Sequence, residues 1–115
     1  MLRGNKKIGS FKNAILGKDY DLSVAFISPA KIKLLNLTYR NINKPTDILS
    51  FPLSKKEGEI YICKSEARKE AKKFDRKYEN FLLFLLIHGL VHLKGYDHGS
   101  TMENIEAKFR KQFGI

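Results

Sequence analysis

Apolar residues recur along this chain with two different periods, and the switches between them mark out the elements. From Asp21 to Ser28 apolar and polar residues alternate, with Leu22, Val24, Phe26 and Ile27 on the apolar side, and this period of two predicts a strand. Pro29 suits the first turn of a helix with Ser28 as its N-cap, and Ile32, Leu34, Leu35 and Leu37 carry that helix until it fades near Arg40. Asn41 to Pro45 reads as a loop. Asp47 to Phe51 (DILSF) is a short strand ended by Pro52. The loop SKKEG leads to a third strand, Glu59 to Cys63, in which Ile60 and Ile62 point one way and Glu59 and Tyr61 the other.

Helical signals frame these strands. Residues 10–17 predict a short helix capped by Ser10 and stopped by Gly17. Lys64 to Phe74 is a charged helix with Ser65 as its expected N-cap, and Glu66 and Glu70 stand among lysines on a solvated face. Residues 78–94 form the most apolar helix. Phe81 to Ile87 is hydrophobic all round, which means burial on more than one side, and Gly95 stops the helix. Thr101 or Ser100 caps a last amphipathic helix bearing Met102, Ile105, Phe109 and Phe113. The order β, α, β, β, α, α, α predicts an α+β fold: a small mixed sheet flanked by helices, within one domain over residues 1–115.

Three of the 115 residues are histidines, and all fall in HGLVHLKGYDH, residues 88–98. On a helix His88 and His92 are i and i+4, so their side chains lie on one face. Gly95 permits a turn of positive φ, and His98 returns after it toward the same point. Three imidazoles and one open position make up a common catalytic zinc site, so the metal is expected at the end of the central buried helix. The spacing matches the long zinc-protease motif H-E-x-x-H-x-x-G-x-x-H. Where that motif has its glutamate base this chain has Gly89, which argues against peptide hydrolysis and is expected to leave room beside the ion for a bulky substrate. A metal here would polarise a phosphoryl oxygen or activate a water. No fourth ligand stands out: Cys63 is distant in sequence. Asp97 is placed to orient a ligating imidazole through its other N–H, or else simply serves the GYDH turn. Tyr96 is expected to pack.

Charge narrows the partners. The formal net charge of +10 favours a polyanion such as nucleic acid, although a lysine-rich solvated surface accounts for the same number. A single cysteine excludes an intramolecular disulfide and suits a reducing cytosol. No apolar stretch follows the basic Met1–Lys7 segment as a secretory signal would require, and 81–87 is too short to span a bilayer.

The run HGLVHLKGYDH resembles the signature of the YbeY family of metal-dependent ribosomal-RNA endoribonucleases. LNLTYRNINKPTDILSFP (35–52) and GEIYIC (58–63) resemble two further blocks of that family, so the likeness covers roughly 20–110. The resemblance implies one zinc ion on His88, His92 and His98, cleavage of single-stranded RNA in maturation and quality control of small-subunit (16S) ribosomal RNA, ribosomal proteins as contacts, and a cytoplasmic setting. It makes Arg40, in the YR pair, a functional residue. A guanidinium there offers a planar fork to a phosphate; the alternative is a surface arginine favoured by the helix C-terminus. Thr46 and Asp47 of the same block are expected to organise the loop and Ser50 to hydrogen-bond near the metal helix, all three in structural roles. The segments before the first block and after the last are shorter than the family usually has, which bears on the sheet edges and partner contacts. The alternative to an enzyme is a zinc-stabilised, non-catalytic ribosome assembly factor that binds ribosomal RNA.

Overall fold

The computed structural model describes residues 6–97 and 99–115. Its elements run α1 (Lys6–Leu16), β1 (Asp21–Phe26), α2 (Pro29–Arg40), β2 (Ile48–Ser54), β3 (Glu57–Ile62), α3 (Lys64–Lys73), α4 (Tyr78–Leu93) and α5 (Ser100–Phe113). The three strands form one mixed sheet in the order β1-β3-β2, with β1 parallel and β2 antiparallel to β3. This is the α+β fold that the alternation of periods predicts.

The pleat sorts side chains between two cores. Leu22, Val24 and Phe26 of β1, Ile48 of β2 and Ile60 and Ile62 of β3 face the larger one, built on α4 with α1, α3 and α5 around it. Leu49, Phe51 and Cys63 face the other side, where Ile32 and Leu35 of α2 cover them. The helix without a polar side is therefore the one surrounded: Phe81, Leu86, Ile87, Leu90 and Val91 are all fully buried. Each such side chain contributes about 1.5–3 kcal/mol by leaving water. The Lys69–Glu66 and Lys73–Glu70 pairs of α3, at 2.9 and 3.3 Å, lie on the solvated face expected for them.

Several boundaries differ from the sequence reading. Ser10 is not a cap: α1 begins before it, because Ile8, Phe11 and Ile15 continue one apolar stripe toward the core. Gly17, at φ +98°, does end that helix. Pro52 does not end β2. The strand passes through it to Ser54, which an edge strand allows because its outer side carries no ladder that a missing N–H would break. β3 correspondingly starts two residues early, at Glu57. Ser28 is the N-cap of α2 and accepts a hydrogen bond from Lys31 N at 3.2 Å. Ser65 does not cap α3; Cys63 holds that place, with the Ser65 hydroxyl 3.5 Å from its sulfur. Gly99, rather than Thr101 or Ser100, precedes the first turn of α5.

Candidate metal centre and adjoining groove

α4 carries His88 and His92 one turn apart, about 6 Å along the axis. Both are half-buried. Nδ1 of His88 lies 2.8 Å from Oε1 of Glu106, a buried residue of α5. Nδ1 of His92 lies 3.1 Å from the carbonyl oxygen of Tyr96. That carbonyl comes back to the helix end because the chain turns at Gly95, whose φ of +112° a side chain would resist and whose N–H bonds to His92 O at 3.0 Å. A carbonyl and a carboxylate accept hydrogen bonds, so in both rings Nδ1–H donates. The lone pair then resides on Nε2, the tautomer in which an imidazole ligates a metal while its other nitrogen is held in place. The donor chemistry of the two rings thus fits two positions of a histidine zinc site. His98, the expected third ligand, lies outside the described residues, and among those described no three His, Cys, Asp or Glu side chains gather into a ligand set.

The structure supplies supporting contacts for two of the three rings. Asp97 is exposed and has no imidazole partner among the described residues; at His88 the orienting carboxylate is Glu106. A signal for it exists in the sequence: Glu106 stands four residues after Met102 on the apolar stripe of α5, where a carboxylate needs a partner. Gly89 does not open space for a substrate. It is buried against the sheet, where a Cβ would come within 3.0 Å of Ile60 Cδ1 and Ser50 Oγ and 3.1 Å of Ile48 Cδ1. Its role is close approach of α4 to the sheet, and Ser50 packs against it. Arg40 is exposed at the end of α2, on the helix that covers the other side of the sheet, and does not line the groove beside His88.

That groove has a volume of about 420 Å³ and runs between α4, α5 and the start of β2. His88, Glu106 and Arg110 line it, with Arg110 Nη1 4.0 Å from Glu106 Oε1. Asp47 faces it too, its carboxyl accepting a 3.3 Å hydrogen bond from Thr46 Oγ1, so Thr46 does organise this loop. Burial, reinforced by the nearby Glu70 charge, holds the Asp47 carboxyl above the usual carboxylate range. The loop before it is pinned by buried Asn36, whose Nδ2 donates to Lys44 O at 2.9 Å. Among the described residues no helix is long and apolar enough to cross a membrane.

Known proteins align with this chain along almost its whole length. The family model described as Endoribonuclease YbeY matches residues 6–113. A protein of Thermosipho melanesiensis named Endoribonuclease YbeY is 40% identical over 99 residues, covering 84% of this chain and 72% of that protein. Its namesake from Thermotoga maritima is 40% identical over 96 residues, covering 82% of this chain and 64% of that one. The solution structure of a Thermotoga maritima protein superposes with a TM-score of 0.66 at 32% identity, covering 95% of this chain and 81% of the other. A match of this extent, on the fold that sets two imidazoles along one buried helix, places the chain in the YbeY endoribonuclease family.

Proposed function

We propose that this protein is a metal-dependent endoribonuclease that cuts single-stranded RNA and acts on small-subunit (16S) ribosomal RNA in the cytoplasm, in contact with ribosomal proteins. The observation that carries the reading is the pair of Nδ1 hydrogen bonds, His88 to Glu106 and His92 to Tyr96 O. Two rings on one helix face, both held with the lone pair on Nε2, are preorganised for a common cation. The relatives named Endoribonuclease YbeY support the reaction class.

His88, His92 and His98 would hold one zinc ion, which when bound supplies Lewis-acid polarisation of a phosphoryl oxygen. The remaining work falls to the chain's own groups. Glu106 accepts the hydrogen bond from His88 Nδ1–H and fixes that ring in its ligating orientation. The Tyr96 carbonyl does the same for His92. Arg40 supplies a guanidinium fork to a phosphate of the strand, and Asp97 supports the turn that delivers His98. The lysine-rich surface tracks the flanking backbone, so log affinity should fall with log salt by about 0.7 per neutralised phosphate.

The test compares wild type, His92→Ala and Arg40→Ala, purified in parallel, on one single-stranded RNA with and without added Zn2+. Cleavage that needs the ion, vanishes in His92→Ala and falls at least tenfold in Arg40→Ala supports the reading. Equal cleavage by all three assigns the activity elsewhere. RNA binding with no cleavage under any condition points to a non-catalytic assembly factor. Products ending in a 2′,3′-cyclic phosphate would make the substrate 2′-OH the nucleophile.

A further inference from the structure

Beyond His88 the groove changes character, from imidazole to a cluster of aromatic rings. Phe74, at the end of α3, is 54% exposed. Its ring lies 5.4 Å from that of Phe81 and 5.5 Å from that of Phe84, and Phe81 and Phe84 stack at 5.3 Å. The guanidiniums of Arg76 and Arg110 lie over Phe84, 4.6 and 5.0 Å from its centroid. Core packing accounts for the fully buried Phe81. It does not account for half of Phe74 standing in water at the mouth of a cavity.

The lining selects among the parts of an RNA strand. Asp47, Glu103 and Glu106 all face the groove and repel a phosphate from its floor. A nucleobase meets the opposite reception: it is uncharged, has a π-face for Phe74, and carries N–H groups that carboxylates accept, as with the amino group of cytosine. The arginines sit where cations are wanted, beside the aromatic face and within reach of a flanking backbone. His88 and Phe84 are one helical turn apart, about 6 Å along α4, so a base held at Phe74 would leave its neighbouring phosphate near the histidines.

We propose that the groove between the end of α3, α4 and α5 is a nucleobase pocket. In it Phe74 stacks the base of a nucleotide next to the scissile phosphate, Asp47 and Glu103 accept that base's N–H groups, and Arg76 and Arg110 face the strand's backbone. This inference rests on the RNA reading above and assigns that site a base-binding subsite.

The chain contains no tryptophan, so Phe74→Trp introduces a sole indole at the pocket. Its fluorescence is followed while the protein is titrated with a single-stranded RNA oligonucleotide or with an abasic ribose-phosphate strand of equal length. Anisotropy of labelled RNA gives affinities for wild type and for Phe74→Ala, Phe74→Leu and Phe74→Tyr, each checked by thermal unfolding. The expected result is quenching by RNA but not by the bound abasic strand. Affinity should fall about tenfold in Phe74→Ala and Phe74→Leu and stay near wild type in Phe74→Tyr. Unchanged affinity in Phe74→Leu overturns the pocket, as does an indole signal that is silent to bound RNA or equal for both strands, and the RNA reading stands in each case. Failure of wild type to bind RNA at all removes that reading and the pocket with it.

Discussion

Removing the Glu106 carboxylate separates a carboxylate that orients a metal ligand from one that merely fills space. Glu106 is 5% exposed, and its Oε1 sits 2.8 Å from His88 Nδ1. The cation beside it, Arg110, is at the limit of ion pairing, 4.0 Å away. The interaction with His88 is therefore the dominant polar contact that Glu106→Ala abolishes. Without it the imidazole loses the acceptor that keeps its proton on Nδ1, and a proton on Nε2 competes with a cation. Loss of such a supporting partner lowers metal affinity by about 10–100-fold, or roughly 1.4–2.8 kcal/mol at 1.4 kcal/mol per tenfold. Glu106→Gln keeps an oxygen that accepts the hydrogen bond from Nδ1–H but loses the charge, so its loss should be smaller, about tenfold or less. Asp97→Ala should leave the His88 contribution intact, since Asp97 is exposed and has no imidazole partner among the described residues. The assay is competition for Zn2+ against a chromophoric chelator at fixed pH and ionic strength. Unfolding of the metal-free variants is run alongside, to separate lost ligation from lost fold. Affinity within twofold of wild type in Glu106→Ala, or a larger loss in Asp97→Ala, refutes the reasoning.

Three further outcomes follow from other contacts. Gly89→Ala should gain about 1 kcal/mol of helix propensity and lose about 1–3 kcal/mol by overpacking against Ile60, Ile48 and Ser50. The net is a melting temperature a few degrees lower; a more stable variant would show that α4 lifts off the sheet without cost. Asp47→Asn should stabilise the protein at neutral pH. The folded state raises the Asp47 pKa, so its favourable linkage is full below the unfolded value near 3.9 and is lost as pH rises through the folded one. Thermal unfolding across pH should accordingly show the gain of Asp47→Asn at pH 7 shrinking to nothing near pH 3, and a gain that grows on acidification would contradict the assignment. Ser28→Ala should cost about 1 kcal/mol, because it removes the acceptor for Lys31 N at the start of α2. A lower denaturant midpoint with an unchanged slope would register it.

The features legible without a structure are those carried within a single element. The pleat of β3 follows from a period of two. The buried α4 follows from an apolar run with no polar side, and the shared face of His88 and His92 follows from a spacing of four. The turn at Gly95 is equally local, since positive φ is a property of one residue. The partners of these residues are not local, and only packing decided them. Glu106 reaches His88 from eighteen residues away because α5 lies against α4, which no periodicity along either helix specifies. Gly89 faces the sheet and not the groove because the direction of a helix face is set by what the helix buries. Asp47 and Phe74 meet at one cavity although β2, β3 and α3 separate them in sequence. Backbone preferences act over a few residues, whereas the desolvation that brings distant side chains together is a property of the assembled core.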